Sequence, residues 1–182
     1  MTNDFLPVGY ETPETPSRFM ELAEGLNSIR ILSNAVVGYE WWTESSDGQK
    51  TPVRVRSEAE VPEEFRNAAD RRSRARHFWA FVAYNYDAKA VQVLVIKQQT
   101  IMGALEALIR SPKWGDPRGY DLLIEKSRTG TRERDVEYSV MPEPKAPVDP
   151  GIAELSQQTL AAPSAPDHQH PAQHEEPSDA TG

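Results

Sequence analysis

The stretch "HFWAFVAYNYDAKAVQVLVIK", residues 77–97, constrains the fold more than any other part of the chain. Two runs rich in β-branched and aromatic residues, 77–86 and 91–97, flank the turn-forming "DAKA". Period-2 alternation over runs of this length predicts a β-hairpin. In the first run Phe78, Ala80, Val82, Tyr84 and Tyr86 alternate with His77, Trp79, Phe81, Ala83 and Asn85. Either set can face a core.

The flanking segments supply partners for this hairpin. "RFMELAEG" reads as a strand or a short helix, and "NSIRILSNAVVGYEWWTE" as two strands, about 28–33 and 36–43. Asp47-Gly48 signals a turn. The following "KTPVRVRS" alternates Val53 and Val55 with Arg54 and Arg56, which puts both arginines on one face. Residues 57–76 read as an inserted loop with a short helix, capped at Ser57 and ending in Arg71, Arg72, Arg74 and Arg76. "QQTIMGALEALIRS" spaces Ile101, Leu105, Leu108 and Ile109 as a helix, with Thr100 as N-cap and an end before Pro112. "GYDLLIEKS" and "RDVEYSVMP" form a second hairpin around "RTGTR".

Strands of this number and length around one helix predict a mainly β domain. The expected architecture is an OB-fold-like five-stranded barrel over residues 17–141, with a β-sandwich as the other candidate. Residues 1–16 read as an extended arm, because Pro7, Pro13 and Pro16 oppose regular structure. Residues 142–182 hold eight of the 15 prolines and no aromatic residue. Such a segment buries too little apolar surface to offset its ordering entropy, so a disordered, acidic, Pro-rich tail is expected. Within it only 151–162 has the composition of a transient helix.

Charge narrows the function classes. The chain carries a net charge of −8, yet residues 50–140 hold seventeen bases against thirteen acids. A basic middle between acidic ends points to a polyanion partner. With no cysteine, disulfides, iron–sulfur clusters and thiolate zinc sites are excluded, and a reducing compartment fits. No run approaches the roughly 20 apolar residues of a membrane span, and no secretory signal is visible at the N-terminus. Glycine-rich phosphate loops are absent. Glu125 and Lys126 are adjacent, so on a strand they face opposite ways, which argues against a metal-nuclease pair. His168, His170 and His174 read as solvated tail. No catalytic residue, metal site or cofactor is therefore assigned.

Basic residues interleaved with aromatics give the positive signal. Single-stranded nucleic acid needs cations along its phosphates and rings against its bases. Phosphate contacts are assigned to Arg54, Arg56, Arg72, Arg74, Arg76 and Lys97, and further along to Lys113 and Arg118. Stacking is assigned to Trp41, Trp79, Trp114 and Tyr84. The groove is expected on the face bearing Arg54, Arg56 and Trp79, with "RRSRAR" and "KWGDPR" at its rims. Each aromatic also has a packing alternative: adjacent Trp41 and Trp42 point to opposite faces, so one of them belongs to a core.

Several of these segments together resemble bacteriophage single-stranded DNA-binding proteins of the OB-fold type. The resemblance rests on Trp79, Phe81, Asn85 and Tyr86 in one strand, on "VQVL" and "TIMGAL", and on "WGDPRGYD" and the closing "YSVMP". It covers about residues 16–147. It implies a non-catalytic protein that coats single-stranded DNA during phage replication, recombination or repair, in the cytoplasm of a bacterial host. It also implies a tail that contacts replication or recombination proteins. Here Glu175, Glu176 and Asp179 are diluted by Pro, His and Ala, and 57–76 is longer and more charged than the pattern needs. A protein-interaction adaptor using the same exposed aromatics, RNA binding and a metal-dependent nuclease are the other readings.

Overall fold

The computed structural model describes residues 17–132 and 135–161. Eight strands form one mixed sheet. The first four are β1 (Phe19–Met20), β2 (Gly25–Ile31), β3 (Val36–Glu44) and β4 (Lys50–Val55). The others are β5 (Arg76–Asn85), β6 (Ala90–Ile96), β7 (Asp121–Arg128) and β8 (Val136–Pro142). The helices are α1 (Glu63–Arg66), α2 (Gln99–Arg110) and α3 (Pro150–Ala161).

Strand β5 organises the sheet. Its 10 residues carry β6 on one edge and two strands in succession on the other, β3 along Arg76–Ala80 and β2 along Ala83–Asn85. β7 pairs with the far edge of β2, and β8 with β7. β1 pairs parallel with β6, whereas the other ladders are antiparallel. One face of the sheet supplies the core in i, i+2 pairs: Ile29 and Ile31, Phe81 and Ala83, Leu94 and Ile96, Leu122 and Ile124. Ile101, Met102 and Leu105 of α2 cover them, and Tyr138 and Val140 of β8 pack against the same cluster. Burial of each large apolar side chain stabilises the fold by about 1.5–3 kcal/mol.

The mainly β character expected from alternation stands, with eight strands rather than five. Among the described residues no ladder joins β6 to β8, so the sheet wraps around α2 without closing. All eight lie in segments that alternation marks as strands, β1 in the one that also reads as a short helix, so the excess over five is in the architecture and not in the segments. Both predicted hairpins form, β5–β6 and β7–β8. Ser57 builds a full capping box with Glu60, as its position suggested. Thr100 is not a cap: α2 starts at Gln99, two residues earlier than that cap implies, after Gln98 and with no side-chain cap. Gly48 has φ +80° in the β3–β4 turn, a conformation that its missing Cβ makes accessible.

A buried polar cluster ties the C-terminal part to the sheet. Arg30, 2 % exposed, donates from Nη1 to Asp121 (3.0 Å), from Nε to the Arg118 carbonyl (3.1 Å) and from Nη2 to the Ala146 carbonyl. The Tyr86 hydroxyl donates to Asp121 at 3.1 Å. Burial, then that hydrogen bond, pushes the Tyr86 pKa up to about 12. Backbone bonds run from Glu143 N–H to the Asp121 carbonyl and from Ala146 N–H to the Gly119 carbonyl. Ile152 of α3 is buried, and α3 packs on β6. These contacts correct the expectation of disorder from 142 for residues 142–161. Composition alone hides them, because the partners are Arg30, Gly119 and Asp121. The expected arm 1–16 and the tail from 162 onward lie outside the described residues.

Gly38 marks a tight crossing of β3 and β4. A Cβ there would sit 2.3 Å from the Val55 carbonyl oxygen and 3.0 Å from the Phe78 ring. Gly38→Ala should destabilise the fold by about 1–3 kcal/mol through overpacking, read as a lowered thermal midpoint. An unchanged midpoint would mean that the crossing yields without cost.

Candidate nucleic-acid interface

The sheet register decides which candidate residues share a face, because directly paired residues lie on the same side. Glu40 pairs with Arg54 on one side and Arg76 on the other, which puts these three in one row across β4, β3 and β5. Trp79 pairs with Val37 and Ile96 and packs against the core, on the opposite face. The expected face bearing Arg54, Arg56 and Trp79 together is therefore corrected: Trp79 is one step out of phase with the arginines.

A concave, cationic surface lies where β5 begins, β6 ends and the 57–75 insertion folds back. Arg71, Arg72, Arg74, Arg76, His77 and Lys97 line it, with Gln99 of α2. The same surface continues past Gln98 and Thr100 to Lys126, Arg128 and Tyr138 at the gap between β6 and β8. In the other direction it reaches Trp42 and Glu40. Glu40 is the only carboxylate among the lining residues.

Local chemistry leaves most of these cations unneutralised. Asp70 sits within the basic run, yet its carboxylate accepts from the Arg72 backbone N–H and the Ser73 hydroxyl. Arg74 donates to the Ala68 carbonyl, which fixes its guanidinium without cancelling its charge. Lys126 donates to the Leu22 carbonyl at 2.9 Å. Among the described residues no acid lies within salt-bridge distance of Arg71, Arg72, Arg74, Arg76 or Lys126. Arg128 pairs with Glu24 at 3.0 Å.

Glu40 is 3 % exposed and holds two cations, Arg54 at 2.7 Å and Lys97. Burial works to raise its carboxyl pKa, but hydrogen bonds from Lys97 and Arg54 outweigh it and hold the value below the ordinary 4.5. Arg54 also lies over the Phe78 ring, 5.7 Å from its centroid. These two predicted phosphate contacts are thus ordered by an internal counter-ion. Arg56 is exposed beside them.

The aromatic candidates divide. Trp41 is buried and stacks on Phe65 of α1 at 5.6 Å, so the insertion covers it. Tyr84 is buried edge-on to Tyr86. Both assignments to base stacking are corrected: the rings face protein. Trp42 is the exposed member of its pair, at 50 %, and lines the cationic surface. Trp114 packs against the core, edge-on to Tyr120 at 5.3 Å, under the Lys113 ammonium. Trp79 is half-buried, and its indole N–H donates to His77 Nε2 at 3.1 Å.

Arg118 does not join the 71–76 surface. It folds back on Asp116 and donates to the Asn34 side chain at 2.9 Å. The Arg118 hydrogen bonds bring the Asp116 pKa down to about 2. "KWGDPR" is thus a separate rim, set beside a different pocket. Arg71, Lys126, Arg128, Trp42 and Tyr138 were not among the assigned residues. Lys126 and Arg128 continue the Leu122, Ile124 alternation of β7, and that period was the available signal. No protein-family model, curated protein or solved structure matches this chain. Among the described residues no helix is long and apolar enough to cross a membrane.

Proposed function

We propose that this protein binds single-stranded DNA without catalysis, along the cationic surface from Trp42 to Arg128. The observation that carries this reading is the convergence of Arg71, Arg72, Arg74, Arg76 and Lys126 on one concavity with no acid pairing them among the described residues. A polyanion supplies the missing counter-charge, and Trp42 offers an exposed ring on the same surface, which His77 and Tyr138 also line.

Strand connectivity is compatible with a Greek-key OB arrangement. β2 with β3, then β5, β6, β7 and β8 would be its five strands, with α2 between the third and fourth. The β6–β8 seam is unsealed, and OB barrels are characteristically partly open. In that arrangement β4 and the 57–75 insertion would occupy the position of the first inter-strand loop, one of the two loops that carry nucleic-acid contacts in that fold. The resemblance to phage single-strand-binding proteins points the same way, toward replication, recombination or repair in a bacterial host.

Titration with an oligo-dT should quench tryptophan fluorescence at low salt, with Trp42 as the main reporter, and duplex DNA should bind more weakly. Absence of any binding at low salt, by quenching and by a labelled-strand assay, would overturn the reading. Equal affinity for an oligo-dT and an oligo-U would extend it to RNA.

A further inference from the structure

Beside the cationic surface lies a separate, mainly apolar pocket of about 190 Å³. Ile31, Trp79, Phe81, Leu105 and Ile109 form its walls. Ser33, Asn34, Asp116 and Arg118 form a polar rim on one side. It is smaller than the roughly 300 Å³ at which pockets for drug-sized ligands begin. It therefore admits one ring system and little more. Ile109 is 45 % exposed, so this wall is reached from solvent.

The cationic surface reaches the pocket's side of β5 through His77, whereas Arg76 lies on the other side. His77, which lines the cationic surface, and Trp79, which lines the pocket, are two residues apart on β5 and hydrogen-bonded to each other. Their separation along the strand is about 7 Å. A polynucleotide that runs from the arginines past His77 meets Trp79 next along β5.

The rim chemistry suits a base edge. The Asn34 amide oxygen accepts from Arg118 at 2.9 Å, which leaves Nδ2 as the donor of that side chain. Among the described residues Nδ2 has no partner, so it offers a donor to a ring carbonyl or ring nitrogen. Asp116 and Arg118 neutralise each other, so the rim itself carries little net charge to attract or repel a phosphate.

The geometry points to a nucleobase subsite: this pocket takes one unstacked base of a bound single strand, while the phosphates stay on the arginine surface. The inference rests on the proposed single-strand binding and adds a site to it. An apolar side chain of a protein partner would fit the walls but leave the Asn34 donor unused.

The test compares the full chain with two variants, Ala35→Leu, which fills the pocket from its exposed lip, and Ile109→Ser, which removes an exposed wall. Each is titrated with an oligo-dT and with an abasic sugar-phosphate oligomer of equal length. The native chain should prefer oligo-dT by roughly tenfold or more. Both variants should lose a large part of that preference and keep the abasic affinity. A preference unchanged in both variants overturns the subsite while single-strand binding stands. Native binding of the abasic oligomer as tight as oligo-dT overturns it as well. If neither oligomer binds, the single-strand reading fails and takes the subsite with it.

Discussion

Replacing Arg71, Arg72, Arg76 and Lys126 together with glutamine should lower oligo-dT affinity by roughly a thousandfold at low salt. Each phosphate contact on a single strand contributes a slope of about −0.7 to log affinity against log salt. The five cations that line this surface without acidic partners among the described residues then set a slope of about −3.5 for the native chain, and the one left in the variant, Arg74, about −0.7. Between roughly 50 and 200 mM salt the native affinity should fall about a hundredfold, and that of the variant about threefold. Arg71, Arg72 and Arg76 are exposed and Lys126 bonds only a carbonyl, so the thermal midpoint should barely move. A variant that keeps the native salt slope would show that the phosphates run elsewhere.

Arg30→Met should be the most damaging single change to the fold. The arginine is buried, and its loss strips Asp121 of its cation and the Arg118 and Ala146 carbonyls of a donor. Removing one partner of a buried ion pair costs about 3–5 kcal/mol. For a domain of this size that lowers the melting temperature by roughly 6–20 °C. The Ala146 amide, bonded to the Gly119 carbonyl, should lose hydrogen-exchange protection ahead of the core strands. Arg30→Met combined with Asp121→Asn should recover part of the loss, because no unpaired charge is left behind. If Arg30→Met melts with the native chain, the cluster does not hold residues 143–149 in place.

Local pattern carried the strands and hairpins, because period-2 alternation records a face and Asp47-Gly48 records a turn. It did not carry which face was inner. On β5 both alternating sets are apolar, and only pairing with Val37 and Ile96 turns Trp79 inward. Trp41 and Trp42 were symmetric in sequence; the stacking of Phe65 on Trp41 breaks the tie. The basic run was legible, but its counter-charges were not. Asp70 looks like a partner for the arginines and instead serves the backbone, whereas Glu40, in an apolar strand, holds two cations. Long-range register decides such matters, and a single strand does not contain it.

That same register has a consequence in time. β2 lies between β5 and β7, and the Asn27 side chain donates to the Ile124 carbonyl across 97 positions. Until the chain has been synthesised beyond Arg128, β2 has an open edge and the core lacks Leu122 and Ile124. Non-local pairing of this kind slows folding, because loop closure must precede the contacts that reward it. The final sheet is therefore assembled late on the ribosome, with the β3–β4 and then the β5–β6 hairpin available before it.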